Sequence, residues 1–200
     1  MTSSYLLLAD IEVERDPKRA IVFLNEGWDI AKKASLDRLA IYFPLILGLA
    51  HLKLGNADRA EHGFTEGLQA AHEVGELPQA SANLIGRAEA LLLKNEIIAA
   101  ADDLKQGIRL ALKTGSGRYL MWAAVISCRV SARRLATPTA KELLLTTLRH
   151  PAADQDARDK AADTLSEFFE ISAGSELDPV DDVPSLDEIA ELSLQLLTVD

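Results

Sequence analysis

Leu47-Gly-Leu-Ala-His-Leu-Lys-Leu-Gly-Asn-Ala-Asp-Arg-Ala60-Glu-His-Gly-Phe64-Thr-Glu-Gly-Leu68 decides the fold. Ala60, Phe64, Leu68 and Ala71 are spaced by 4, 4 and 3, which keeps them on one face of a helix. The same face recurs 40 residues away in both directions. Ala20, Ala60, Ala100 and Ala140 share one position, Leu24, Phe64, Leu104 and Leu144 the next, and Trp28, Leu68, Ile108 and Leu148 a third. Gly27, Gly67 and Gly107 keep this offset, as do Ala31, Ala71 and Ala111. A fixed period of this size marks stacked supersecondary units, none of which can bury its apolar face alone.

Punctuation divides each unit into a hairpin. Asp16-Pro17 and Thr137-Pro138 read as an N-cap followed by proline at the first helical position, where a missing N–H does no harm. Gly55, Gly75 and Gly115 stand at the ends of apolar runs, as helix-terminating glycines do. The spacing predicts helices near 3–14, 17–34, 37–54, 57–74, 78–94, 97–114, 118–135 and 138–149, another near 155–172, and a last one opened by the capping box Ser185-Leu-Asp-Glu188.

Composition fits an all-helical chain. Apolar residues are 48% of the 200 but aromatics only 5%, so the core must rest on Leu, Ala and Ile, which favour helices. No apolar run approaches the roughly 18 residues of a membrane span, and the start of the chain has no basic segment of the secretory kind. The single cysteine, Cys128, excludes an intrachain disulfide framework and suits a reducing cytoplasm. Charge separates along the chain. Residues 1–153 hold 19 bases against 17 acids (+2) and residues 154–200 hold 2 against 14 (−12), which together give the net −10. A nearly neutral body has no electrostatic footprint for nucleic acid.

The opening stretch resembles a tetratricopeptide repeat. Gly48 takes the place of its first-helix glycine, Gly55 of its turn glycine, Ala60 of its close-packing alanine and Phe64 of its second-helix aromatic. The ordinary unit has 34 residues. A unit of 40 is similar to the repeats in maltose-regulator-like sensor regions of bacterial signalling ATPases. The later segment Leu143-Leu-Leu-Thr-Thr-Leu-Arg-His150-Pro151-Ala152, with Arg158 and Ala161, is similar to the closing part of many such proteins. The resemblance covers about residues 4–172. It implies a solenoid, a right-handed α-α superhelix of about four hairpins over residues 1–172, with an acidic linker at 173–184 and an amphipathic helix at 185–200.

Residues able to do chemistry fall on structural positions of this register. Cys128 occupies the small-residue position shared by Gly48 and Ala88, where a packed thiol is expected. His51 aligns with Leu91 and Ser131, and no pair among His51, His62, His72 and His150 has metal-ligand spacing. Gly115-Ser-Gly117 lacks the lysine and preceding strand of a phosphate loop. No catalytic, cofactor or metal site is expected, and the chain does not read as an enzyme.

What remains is surface. The resemblance implies that first helices line a groove, carrying Tyr42, Leu45 and Leu49, then Ile85 and Glu89, then Trp122, Val125, Arg129 and Arg133. An apolar stripe flanked by charge suits an amphipathic helix or extended peptide. For Tyr42 and Trp122 the alternative is filling of the core between repeats. The expected function is a cytoplasmic protein-interaction scaffold or sensor module of bacterial signalling, with a peptide or small-effector receptor as the alternative. Two further expectations concern the ends. The first helix, Tyr5–Val13, is apolar on more faces than one neighbour covers, and self-association through it is expected. On the last helix Leu186, Ile189, Leu192, Leu196 and Val199 form a stripe, with Leu197 beside it, expected to dock on the body. Arg129, Arg133 and Arg134 are expected to steer it through Asp181, Asp182, Asp187, Glu188 and Glu191.

Overall fold

The computed structural model describes residues 2–133, 137–171 and 184–198. Among them every regular element is a helix: α1 (Thr2–Arg15), α2 (Pro17–Lys33), α3 (Asp37–Ala40), α4 (Tyr42–Lys53), α5 (Ala57–Val74), α6 (Leu77–Leu93), α7 (Ile97–Lys113), α8 (Gly117–Ala132), α9 (Pro138–Arg149), α10 (Gln155–Phe169) and α11 (Leu186–Leu196). Two compact units divide the chain, residues 1–100 and 101–200, the division falling inside α7. The expected linker 173–184 lies outside the described residues except for Pro184, as do Arg134, Asp181, Asp182 and Val199.

The first unit is a run of hairpins, each packed on the one before. α1 pairs with α2, α4 packs on both, α5 pairs with α4, and α6 packs on α5 and α4. Its first core gathers Ala9 and Val13 of α1, Ala20, Leu24 and Ala31 of α2, and Phe43, Leu47 and Ala50 of α4. Trp28 lies partly buried against that core, with the Lys32 ammonium 3.7 Å above its ring.

Glycine sets how closely these helices approach. A Cβ on Gly63 of α5 would lie 3.2 Å from the Gly48 nitrogen and the Pro44 oxygen, so α4 and α5 nearly touch backbone to backbone. The Phe64 ring fills the space where a Cβ on either Gly48 of α4 or Gly86 of α6 would stand. One fully buried aromatic thus joins three helices.

The helix ends repeat at half the period of the sequence. Ser35, Gly55, Gly75, Asn95 and Gly115 all have φ between 52° and 74° and stand 20 residues apart. At each, two backbone bonds close the preceding helix. Ser35 N reaches Lys32 O and Leu36 N reaches Ala31 O. The pairs Gly55 to Leu52 with Asn56 to His51, and Asn95 to Leu92 with Glu96 to Leu91, have the same form. This is the Schellman arrangement, which satisfies carbonyls that a helix end otherwise leaves bare. Helix starts are capped as the sequence predicts. Asp16 Oδ1 accepts from Arg19 N, Thr137 Oγ1 from Ala140 N, and Ser185 and Glu188 cap each other reciprocally.

Three expectations about elements are corrected. The run 37–54 is broken at Ile41, because Pro44 has no N–H to offer the Ala40 carbonyl and the helix restarts at Tyr42. The helix expected to reach 172 stops at Phe169, where Glu170 turns left-handed at φ 55°. The buried face of α11 is Ile189, Ala190, Ser193 and Leu197, whereas Leu192 and Leu196 are half-buried. Small side chains at 190 and 193 let the helix sit close on that side. Its neighbours are α8 and α9, within the second unit, where α9 and α10 also pack on α8.

Candidate functional site

The expected groove residues are divided between the units. Tyr42, Leu45 and Leu49 lie on α4, and Ile85 and Glu89 on α6; Trp122, Val125 and Arg129 lie on α8, with Arg133 as its C-cap. Leu45, Ile85, Glu89, Trp122 and Val125 are buried. Open surface remains at Tyr42, 37% exposed, at half-buried Leu49 and Arg129, and at exposed Arg133. In α8 every residue from Leu120 to Cys128 is buried, as befits a helix with neighbours all round. Trp122 is one of its packed side chains, and the Lys160 ammonium of α10 lies 5.2 Å from its ring centroid.

Polar side chains are used internally. Cys128 Sγ donates to the Ala140 carbonyl at 3.4 Å, and burial pushes the thiol well above its usual range. A thiol so placed has no thiolate to attack with. Lys94 meets Glu61 at 2.8 Å and Glu96 and Asp58 at 3.2 Å, and these three acceptors hold its pKa above the ordinary lysine value. Its proton is retained, the opposite of what a lysine base needs. His51 has a lowered pKa, chiefly because burial disfavours the imidazolium and secondly because Arg59 adds positive charge. Its Nδ1 has no hydrogen-bond partner among the described residues.

The His-Pro-Ala segment is a corner. His150 Nδ1 accepts from Ala152 N at 3.0 Å. The Arg158 guanidinium donates to the Leu148 carbonyl at 3.3 Å through Nε, and to the His150 carbonyl at 3.1 Å through Nη2. A cation at the C-terminal end of α9 satisfies bare carbonyls and complements the helix dipole. These residues bind one turn to the next helix and face no ligand.

Two features escape the sequence reading. α6 buries a polar group of its own, Gln79, Ser81 and Asn83, whose positions within an apolar run give no sign of it. Asn83 Nδ2 donates to the Gln79 carbonyl at 2.8 Å, while Asn83 Oδ1 and Gln79 Oε1 accept nothing among the described residues. Asn83 packs directly against Gly67, so no space for a ligand separates them. The other feature is apolar exposure. Of nine large apolar side chains exposed among the described residues, six fall between residues 7 and 42: Leu7, Leu8, Ile11, Val22, Leu36 and Tyr42. Leu7, at 66%, is among the barest. The excess of apolar residues over neighbours in Tyr5–Val13 is the signal that points to it.

Among the described residues no group of His, Cys, Asp and Glu is arranged to hold a metal ion, and no helix is long and apolar enough to cross a membrane. No protein-family model matches the chain, and neither a curated protein nor a solved structure matches it.

Proposed function

We propose that this chain is a non-catalytic protein-interaction module, a scaffold or sensor part of a bacterial signalling system built from tetratricopeptide-like hairpins. The observation that carries this reading is the concentration of exposed apolar side chains within residues 7–42. Exposed apolar side chains gathered in one part of a chain mark surfaces that meet a partner. α1 contributes Leu7, Leu8 and Ile11, and Tyr42 begins α4. The tetratricopeptide resemblance draws support from the hairpin-on-hairpin packing of the first unit and from Phe64 set against two glycines. Tyr42 and Leu49 are the part of the expected first-helix groove that the first unit leaves open, and the reading assigns them to an amphipathic helix or extended peptide.

A photocrosslinking side chain in place of Tyr42, incorporated in the cell of origin, tests the reading. It is expected to yield one or a few discrete protein adducts, with none from the same group at exposed Asp102 on α7. Identical products from both positions, or none from position 42, would contradict it.

A further inference from the structure

α11 shows what kind of ligand the second unit accepts. Sixteen residues separate Phe169 from Leu186, and the chain then lays an 11-residue helix on α8 and α9. Its inward face reads Leu186, Ile189, Ala190, Ser193, Leu197, with Ile189 and Leu197 fully buried and Ala190 and Ser193 nearly so. Asp187, Glu188, Glu191 and Gln195 stand exposed on the other side. Leu186 touches the start of α8, where a Cβ on Gly117 would come 3.4 Å from both of its methyl groups.

Polar groups play little part in the match. The Ser193 hydroxyl donates to the Ile189 carbonyl of its own helix at 2.7 Å, and Ser127 of α8 likewise donates to its own Ala123 carbonyl at 2.8 Å. Each helix satisfies its own hydroxyl, so the fit rests on shape: large side chains at both ends and small ones between. The Glu188 carboxylate is taken by the cap, accepting from Ser185 N at 2.7 Å and from its hydroxyl at 2.8 Å. Any amphipathic helix with large, large, small, small and large residues at positions 1, 4, 5, 8 and 12 meets the same requirements.

We infer that the α8–α9 face is a binding site for an amphipathic helix of this pattern on a partner protein, and that α11 is its resident occupant, which the partner must displace. The inference concerns the second unit and does not depend on the reading of residues 7–42. A short helix is marginal in water, so α11 is ordered by the face it occupies. Being covalently attached, it competes at an effective concentration on the order of millimolar.

The test uses the full chain and a fluorescent synthetic peptide of residues 184–198, with binding followed by anisotropy. Wild-type chain should bind the peptide weakly. Full chain carrying Ser185→Ala and Glu188→Ala, both exposed and paired only with each other in the cap, should bind it about fivefold tighter, because its own helix is harder to form. Full chain carrying Ile189→Asp and Leu197→Asp should bind it about tenfold tighter or more, its resident being disabled. A peptide with Ile189→Asp should bind none of them. Equal affinity for all three chains, or equal binding of the two peptides, would overturn the proposal. If circular dichroism shows that the buried-site variant has lost more than one helix, the capping variant alone decides.

Discussion

The side-chain amide of Asn83 on α6 occupies the space that a Cβ on Gly67 of α5 would need. Both are buried, and the amide is steered there by its own bond to the Gln79 carbonyl. Gly67→Ala should therefore destabilise by about 1–3 kcal/mol through overpacking. In combination with Asn83→Ala the penalty should shrink, giving a coupling of about 0.5–3 kcal/mol in a double-mutant cycle read by urea unfolding. Additive effects would show that the two side chains do not share this space.

The five left-handed helix ends make a prediction with opposite signs at two positions. Ser35 adopts φ 52° with a Cβ, which costs about 1–2 kcal/mol relative to the right-handed region. Ser35→Gly should raise stability by about 0.5–1 kcal/mol, part of the relief being offset by the freedom glycine gains when unfolded. Gly75 has φ 74° and nothing within 4 Å of an added Cβ, so Gly75→Ala should lower stability by about 1 kcal/mol for conformational reasons alone. Thermal unfolding of both variants against wild type checks the pair.

His51 gives a pH dependence. Its pKa in the folded chain lies below the ordinary 6.5, so the unfolded chain binds its proton first as pH falls. Stability is then fully present above 6.5 and declines as pH drops below it toward the folded value. His51→Gln should flatten the stability profile between about pH 6.5 and the folded pKa, a window in which ordinary carboxylates hardly titrate. Urea midpoints measured from pH 7.5 to 5 would show this, and an unchanged slope would mean that His51 is freely solvated.

Gly117 lies at the junction of three segments. A Cβ there would stand 2.9 Å from Ala152 Cβ, a methyl that cannot swing aside, as well as touching Leu186. Gly117→Ala should destabilise the second unit by about 1–3 kcal/mol and raise proteolytic cleavage near residue 185. Unaltered cleavage would detach Gly117 from the seating of α11.

Much of this architecture is legible in the residues. The 40-residue recurrence of Ala60, Phe64 and Leu68 leads to the helices, and Asp16-Pro17, Thr137-Pro138 and Ser185–Glu188 mark starts that cap as read. The 20-residue half-period is harder to see, because Ser35 and Asn95 take positions where Gly55, Gly75 and Gly115 announce themselves. The break at Ile41 follows from Pro44, but a proline near a helix start is usually harmless, so the local pattern reads as continuous. The candidate groove is less legible. Helical position places Trp122 and Val125 on one face of α8, yet their burial depends on packing by elements distant in the chain, among them α10. Likewise, the apolar stripe of α11 does not reveal that the close-packed side runs through Ala190 and Ser193, because small residues add little to hydrophobicity while permitting the nearest approach.

That this chain is built to hold amphipathic helices is tested most directly where one is already in place. Ile189 and Leu197, fully buried, should contribute roughly 1.5–3 kcal/mol each to docking, less than the stability of an ordinary domain. Hydrogen exchange of the intact chain, resolved by residue, should show amides 190–197 protected far beyond the free 184–198 peptide, yet opening before the buried amides 120–128 of α8 as denaturant is added. Exchange of 190–197 at the free-peptide rate would mean that the helix is not seated. Loss of protection together with α8 at every denaturant concentration would mean that it never leaves; either result would contradict the account.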